Sequence, residues 1–204
     1  MDKLYELGME YLSGGPDIAE DESKALECFC VLAEKKYDPA LSILYNLGCK
    51  YLIVKGEKYN DINKAIEYFK IAANQGYDKA IKGLYKIGIS YLTGDQRLKR
   101  NYNKAVELLK YLADHDYTNA QFCLGLCYLY GEIKEWNRVG AHFIKSKSSE
   151  CADFIDRLYR LGVDFINDDR TIVQSKAFEY FQSAADKGDA NAQYCLGLCY
   201  LHGR

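Results

Sequence analysis

The chain has 204 residues, of which 49% are hydrophobic and 27% are charged, and its formal net charge is -2. Apolar residues are plentiful enough for a core, and no basic field exists that could hold a nucleic-acid backbone. No stretch approaches the roughly 18 apolar residues that a membrane helix needs, and acids interrupt the first residues, so they do not resemble a signal peptide. We therefore expect no nucleic-acid partner, no membrane insertion, and a cytoplasmic setting in the source cell or, if the source is viral, in its host.

Six glycines recur along the chain, each behind a leucine or isoleucine, at spacings of 35 to 40 residues: Gly8, Gly48, Gly88, Gly125, Gly162 and Gly197. An alanine follows the first five after 15 to 17 residues, at Ala25, Ala65, Ala105, Ala141 and Ala177. A period of this length with helical patterning predicts stacked helical hairpins. We place the repeat units at 1–37, 38–77, 78–117, 118–150, 151–188 and 189–204, of which the last is incomplete.

The second unit illustrates the predicted local structure. Asp38-Pro39 is expected to open the first helix, with the aspartate as cap and the proline in the first turn. Asp61 stands four residues before Ala65, where its side chain can cap the second helix. Gly76 suits the left-handed position at the end of that helix. The corresponding caps of the other units are Asp21, Asn101 and Asn137.

The glycines lie inside the predicted first helices, where glycine costs about 1 kcal/mol relative to alanine. A set of glycines in register needs a packing reason, and we predict that the second helix crosses the first closely at each one. Aromatic residues flank the glycines on both sides. Three residues before are Tyr5, Tyr45, Tyr85, Phe122, Tyr159 and Tyr194, and three residues after are Tyr11, Tyr51, Tyr91, Tyr128, Phe165 and Tyr200.

The segments from Asn119 to Gly131 and from Asn191 to Gly203 resemble the first helix of a Sel1-like repeat, and the segment from Asp61 to Gly76 resembles its second helix. This family is related to the tetratricopeptide repeat. The resemblance implies an all-α fold, a right-handed α-solenoid superhelix of about five and a half helix-turn-helix repeats. It also implies that the protein is an adaptor and that its first helices line a concave face.

The positions two before and two after each glycine form one stripe, because residues four apart share a helix face. These positions vary in charge and size while the framework repeats, which predicts that the stripe faces outward. The pairs are Glu6 and Glu10, Asn46 and Lys50, Lys86 and Ser90, Cys123 and Cys127, Arg160 and Asp164, and Cys195 and Cys199.

This pattern predicts a non-catalytic scaffold whose concave groove binds a peptide or helix of a partner protein. The tyrosines would supply stacking and hydrogen bonds, and the cations would attract a carboxylate. The alternative is that the aromatic residues form core between repeats and that the charges are ordinary solvated surface. The predicted partner-binding residues are Tyr45, Lys50, Tyr85, Lys86, Phe122, Tyr159 and Arg160.

We predict that the protein is not an enzyme and has no cofactor and no metal site. The histidines, His115, His142 and His202, are dispersed, and no glycine-rich phosphate loop follows a predicted strand. The four cysteines of the stripe form two pairs four residues apart. On a helix their Cβ atoms would be roughly 5–6 Å apart, whereas a disulfide needs roughly 3.5–4.5 Å. Small, buried, reduced thiols are the interpretation that these pairs favour.

Self-association is the competing class of function. The incomplete sixth unit leaves an apolar helix face, so two chains could form a homodimer through their C-terminal ends. The chain could equally be a regulatory fragment of a longer protein. The sequence leaves the identity of the partner, the pathway and the oligomeric state open.

Overall fold

The computed structural model describes residues 1–52, 61–94, 98–130 and 171–201, and every regular element in these ranges is an α-helix. By contacts the chain divides into two units, Met1–Leu84 and Tyr85–Arg204, and the division falls within the fifth helix. The described helices are α1 (Asp2–Ser13), α2 (Glu22–Glu34), α3 (Asp38–Leu52), α4 (Ile62–Asn74), α5 (Asp78–Thr93), α6 (Tyr102–Asp114), α7 (Thr118–Tyr130), α8 (Thr171–Asp186) and α9 (Ala190–Leu201).

Side-chain caps begin three of the second helices. Oδ1 of Asp61 accepts hydrogen bonds from the backbone N–H groups of the second and third residues of α4, at 2.9 and 3.2 Å. Asp21 caps α2 in the same way, and Asn101 caps α6 through one such bond of 3.1 Å. These three predicted caps are confirmed, and Asn137 lies outside the described residues.

The turn that joins α4 to α5 has counterparts after the other described second helices. Gly76 has a φ of 80°, as predicted, and the equivalent residues Lys36, Asp116 and Gly188 have φ values of 53°, 64° and 86°. The next helix starts two residues later in each case. Asp38 therefore lies inside the first turn of α3 instead of preceding it as a cap, and its negative charge is favourable at the helix N-terminus.

Paired helices form the hairpins of each unit. Within Met1–Leu84, α1 packs on α2, α3 packs on α4, and α2 also contacts α3. The apolar stripe of α4, including Ala65, Phe69 and Ala72, is buried in this packing. Within the unit that begins at Tyr85, α6 packs on α7, α7 packs on α8, and α8 packs on α9.

Close approach of the second helix explains three of the mid-helix glycines. A Cβ atom built on Gly48 would lie 2.6 Å from Cε1 of Phe69 and 3.2 Å from the carbonyl oxygen of Ala65. At Gly8 and Gly125 the nearest atoms, also of phenylalanine rings, would be 3.0 and 2.7 Å away. We call a first-helix glycine with a second-helix side chain packed against it a glycine slot. The predicted close approach is confirmed at these positions.

The other glycines behave differently. At Gly88 the nearest atom, Cδ2 of Leu109, would be 3.6 Å from a Cβ atom, which is ordinary contact, because leucine is narrower than a phenylalanine ring. At Gly197, in the unit predicted to be incomplete and to lack its second helix, no described atom would lie within 4 Å of a Cβ atom, so the prediction is not tested there, and Gly162 lies outside the described residues. Sequence reasoning missed Gly83 of α5, where a Cβ atom would lie 3.1 Å from Cε2 of Phe69, so this glycine also packs against the ring.

The pairing of α7 with α8 was not anticipated, because residues 131–170 separate the two helices in sequence. The ring of Phe181 lies against Gly125 and is 6.1 Å from the ring of Phe122. Farther along the same contact, Tyr128 stacks on Tyr180 with ring centroids 5.6 Å apart and an interplanar angle of 2°. The predicted units 118–150 and 151–188 separate these two helices, and those boundaries remain a prediction.

Candidate interaction surface

The stripe predicted beside the glycines lies on the outer surface in the first helices of units 1–37 and 38–77. Glu6 and Glu10 of α1 and Asn46 and Lys50 of α3 are all exposed. In α5, Lys86 is exposed and Ser90 is half-buried. The outward orientation of the stripe is therefore confirmed for α1 and α3 and, in α5, for Lys86.

In α7 and α9 the same stripe is buried, so its predicted outward orientation is wrong there. Cys123 and Cys127 are 2% and 1% exposed, and Cys195 and Cys199 are 1% and 7% exposed. Short apolar thiols fit inside the helix packing, whereas the charged residues at these positions elsewhere must reach water. The predicted burial of these four thiols is confirmed. Among the cysteines that the structure describes, none is joined in a disulfide.

Burial also changes the chemistry of these thiols. It raises the pKa of Cys123 to about 12, and it raises the pKa of Cys127 and of Cys195 well above the ordinary value. Removing a proton would leave a thiolate in an apolar environment, which is costly. These cysteines are therefore unreactive core residues, because the thiolate is the reactive form.

The predicted aromatic site residues pack between helices. Tyr45 is half-buried, and its ring stacks on Phe69 with centroids 5.4 Å apart. Tyr85 is also half-buried, and its hydroxyl group lies 3.1 Å from Sγ of Cys123. Phe122 is only 6% exposed. Two of the rings thus keep a partly accessible edge, while Phe122 belongs to the core.

A tyrosine pair recurs where each hairpin meets the start of the next first helix. The ring of Tyr45 is 6.0 Å from that of Tyr77, and the same pairing joins Tyr5 to Tyr37 at 5.8 Å and Tyr85 to Tyr117 at 5.4 Å. Burial and the nearby thiol raise the pKa of Tyr85, which therefore remains a neutral hydroxyl group at physiological pH. The aromatic residues before the glycines thus serve packing in all three places.

The two described lysines of the predicted site present unneutralised charge. Lys50 and Lys86 are exposed, and neither ammonium group forms an ion pair with an acid in the part of the chain that the structure describes. By contrast, Nζ of Lys82 lies 2.6 Å from the carboxylate of Asp78. The remaining predicted site residues, Tyr159 and Arg160, lie outside the described ranges.

Sequence reasoning missed a repeated contact between a lysine and an aromatic ring. The lysine before the repeat alanine lies over the tyrosine that follows the glycine by three residues. The distances from Nζ to the ring centroid are 5.5, 5.1 and 5.6 Å for Lys24 over Tyr11, Lys64 over Tyr51 and Lys104 over Tyr91. The recurring Lys-Ala pair was the signal that could have revealed this cation–π contact.

A second missed feature is a shared carboxylate in the first unit, which we call the Glu22 cluster (Glu22, Tyr51 and Tyr68). The hydroxyl group of Tyr51 donates a hydrogen bond of 2.5 Å to Oε1 of Glu22, and the hydroxyl group of Tyr68 donates to the same oxygen. The two rings stack with centroids 5.6 Å apart. Burial and the bond to Glu22 raise the pKa of Tyr68. The cluster joins α2, α3 and α4.

Two negative findings apply to the described ranges. No group of three or more His, Cys, Asp or Glu side chains in them is placed to hold a metal ion. None of the helices in these ranges has the length and apolar character required to cross a membrane.

Helical hairpins with a common glycine slot, a common cap and a common lysine–aromatic contact define the class of this protein as an all-α repeat protein. A family model described as "Sel1 repeat" matches residues 4–37, 44–77, 81–117, 118–142, 158–189 and 190–204. The chain belongs to the Sel1 repeat family, whose repeats generally mediate protein–protein interaction.

Known relatives cover the chain unequally. It is 41% identical over 61 residues to "DAP3-binding cell death enhancer 1" of Rattus norvegicus and equally to that of Mus musculus, a match to 27% of this chain and 12% of each relative. A Sel1 repeat protein from Oxalobacter formigenes is 27% identical, with 100% of this chain and 79% of that chain covered and a TM-score of 0.35. A protective antigen of uropathogenic Escherichia coli strains with an SLR fold is 20% identical, with 99% and 49% covered and a TM-score of 0.31.

Proposed function

We propose that the chain is a non-catalytic adaptor that binds a peptide or helix of a partner protein in a groove lined by its first helices. The observation that carries this proposal is a repeated buried framework with exposed charges of varying sign at fixed positions beside the glycines of α1, α3 and α5. Family membership supports a protein as the class of partner. The name of the rodent relatives, which describes DAP3 binding by those proteins, supports the same class.

The charges of the stripe suggest what the partner carries. Lys50 of α3 and Lys86 of α5 present ammonium groups that pair with no described acid, so a carboxylate on the partner gains a charge-assisted hydrogen bond there. Glu6 and Glu10 of α1 present the opposite charge. Tyr45 of α3 and Tyr85 of α5 are half-buried, so each can offer the edge of an apolar ring to the partner. Phe122 is buried and contributes only by packing α7 into the core.

A charge-reversal experiment tests the proposal. The double variant Lys50→Glu with Lys86→Glu is compared with Lys79→Glu with Lys99→Glu in affinity capture from the source cell, with quantitative mass spectrometry of the bound proteins. Lys79 and Lys99 are also exposed, one in each unit, and lie off the stripe. The two variants therefore have the same net charge.

We expect the stripe variant to capture at least about fivefold less of one or more proteins than the wild type does. The reason is that charged contacts at the centre of an interface contribute more than about 1 kcal/mol to the binding free energy. The control variant should retain them. Equal capture by the wild type and both variants would show that the stripe is not part of the interface.

Self-association through α9 is a second proposal that one observation favours. Tyr200 is 65% exposed, and nothing lies within 4 Å of a Cβ atom on Gly197, so this face of α9 is open in the described ranges. Light scattering across a concentration series tests it. A mass that rises with concentration in the wild type and not in Tyr200→Glu supports dimerisation, and a constant monomer mass excludes it.

A further inference from the structure

Helices α7 and α9 carry almost the same sequence but differ in what covers them. Residues 120–128 and 192–200 are identical at every position except one. In α7 the glycine of this sequence, Gly125, is buried against the ring of Phe181 from α8. In α9 the equivalent glycine, Gly197, is exposed. The face that α8 covers on α7 is therefore accessible on α9, where the slot is open.

The geometry of the filled slots shows what an open slot can accept. At Gly48 and Gly125 the two atoms nearest to a Cβ atom would be Cε1 and Cδ1 of a phenylalanine, so the edge of the ring lies against the glycine. A tyrosine ring has the same edge and differs only in the hydroxyl group on Cζ. A slot of this kind can therefore take a tyrosine ring whose hydroxyl group points past the glycine.

The exposed aromatic rings of the described residues are both on α9 and flank its open slot. Tyr194 and Tyr200 are 38% and 65% exposed and lie three residues before and three residues after Gly197. Residues three apart on a helix are surface neighbours. The ring of Tyr200 also meets that of Phe178 in α8 edge-on, with centroids 5.5 Å apart, which restricts its orientation. No residue of α9 is charged.

We propose that α9 forms a two-fold interface between copies of this chain, in which Tyr200 of each copy fills the Gly197 slot of the other. This inference rests on the self-association proposed above and names the contact that would produce it. In a two-fold interface the same patch pairs with itself, so a contact between positions 200 and 197 is made twice. The two α9 helices then run antiparallel.

A second copy is the occupant because it supplies what the open slot lacks. It carries an exposed aromatic ring, and each copy buries that ring against a glycine, as the rings of Phe29 and Phe69 are buried within the chain. Since α9 has no charged residue, the two faces meet without burying an unpaired charge of that helix.

Isotope-filtered NMR tests the geometry once light scattering has established the dimer. In an equal mixture of a copy with isotope-labelled glycine and an unlabelled copy, we expect an intermolecular nuclear Overhauser effect between Gly197 and the Tyr200 ring. A dimer without this contact, or with Gly197 against Gly197 of the second copy, would overturn the inference and leave self-association standing. A constant monomer mass up to millimolar concentration would overturn both.

Gly197→Ala separates the interface from the fold. In the single chain no described atom lies within 4 Å of the added Cβ atom, and alanine favours a helix more than glycine does, so the monomer should not lose stability in urea. In the dimer the Cβ atom would meet a ring, as the distance of 2.7 Å at Gly125 illustrates. The dimer dissociation constant should therefore rise at least about tenfold.

Gly88→Ala is the matched control, because its Cβ atom meets only ordinary contacts at 3.6 Å in another helix. It should leave the dimer dissociation constant unchanged. Tyr200→Phe keeps the ring edge and should dimerise as tightly as the wild type. Unchanged dimerisation of Gly197→Ala, or loss of dimerisation in Tyr200→Phe, would overturn the filling of this slot by the ring.

Discussion

At the scale of single residues, a glycine on one helix and a ring on the next determine how closely two helices approach. Phe69 lies between Gly48 and Gly83, with contact distances that leave no room for a methyl group on the first glycine. The cost of glycine inside a helix is about 1 kcal/mol, and the packing of a fully buried phenylalanine outweighs it. Leu109 packs against Gly88 at ordinary contact distance, so a side chain narrower than a phenylalanine ring leaves room for a Cβ atom on the glycine.

The first prediction compares Gly48→Ala with Gly88→Ala. Gly48→Ala places a Cβ atom 2.6 Å from the Phe69 ring, so we expect a loss of about 1–2 kcal/mol in the free energy of unfolding. Gly88→Ala meets only ordinary contacts at 3.6 Å and should stabilise the protein by up to about 1 kcal/mol through helix propensity. Urea denaturation measures both, and equal effects of the two substitutions would contradict the slot.

The second prediction concerns alkaline pH. Burial raises the pKa of Cys123 to about 12 in the folded protein, against about 8.5 for a thiol in an unfolded chain. Between these values the unfolded chain releases a proton that the folded protein retains, so stability falls as pH rises. Each such thiol contributes up to about 1.4 kcal/mol per pH unit.

Urea denaturation between pH 7 and pH 9.5 measures this decline, and Cys123→Ala serves as the comparison. We expect a shallower decline in the variant, because its unfolded chain has one thiol fewer to ionise. An identical pH dependence in the two proteins would show that the Cys123 thiol is not buried as described.

At the scale of secondary-structure elements, the Glu22 cluster links three helices through one carboxylate oxygen. Tyr51 and Tyr68 are each 4% exposed, and both hydroxyl groups donate to this oxygen, while the Tyr51 hydroxyl group also accepts a hydrogen bond of 3.5 Å from Nζ of Lys64. Hydrogen bonds to a charged group are worth about 1.5–3 kcal/mol, and a buried hydroxyl group without a partner is costly. The cluster therefore stabilises the position of α2 relative to α3 and α4.

The third prediction is a coupling between Glu22 and Tyr68. A double-mutant cycle of Glu22→Ala and Tyr68→Phe should give a coupling energy of about 1–2 kcal/mol, because each substitution removes the same bond. Lys82→Ala is the control, since its ion pair with Asp78 is exposed (59% and 67%) and should contribute about 0.5 kcal/mol or less. Additive effects at Glu22 and Tyr68 would contradict the shared bond.

Local signals made the elements predictable from the sequence. The caps at Asp61 and Asn101 and the helix end at Gly76 follow from the properties of a few adjacent residues. The Glu22 cluster and the contact of Phe181 with Gly125 could not be predicted in this way, because they join residues 46 and 56 positions apart. The buried stripe of α7 was missed because a thiol fits both core and surface positions.

At the scale of the whole molecule, the described helices form two units built from the same kind of hairpin. In repeat proteins the stability of each unit depends mainly on its own hairpins and on contacts with its neighbours. Constant slots and caps can then coexist with variable exposed residues, because the latter contribute little to folding. This separation allows a Sel1 repeat protein to keep its framework while its surface specialises for a partner.

The candidate site was less predictable than the fold. The pattern beside the glycines correctly predicted exposed side chains at Lys50 and Lys86. It could not distinguish a ring that contacts a partner from one that packs between helices, since Tyr45 and Phe122 both occupy the position before a glycine. Only the packing around each ring separates the two roles.

Proton NMR contacts between glycines and aromatic rings test the central claim most directly. In a deuterated protein with protonated glycine and phenylalanine, we expect nuclear Overhauser effects from Gly8 to Phe29, from Gly48 to Phe69 and from Gly125 to Phe181. We expect none from Gly197 to any phenylalanine ring, because its slot is open in the described ranges. Absence of the first three contacts would contradict the glycine slot as the contact that pairs the helices of this protein.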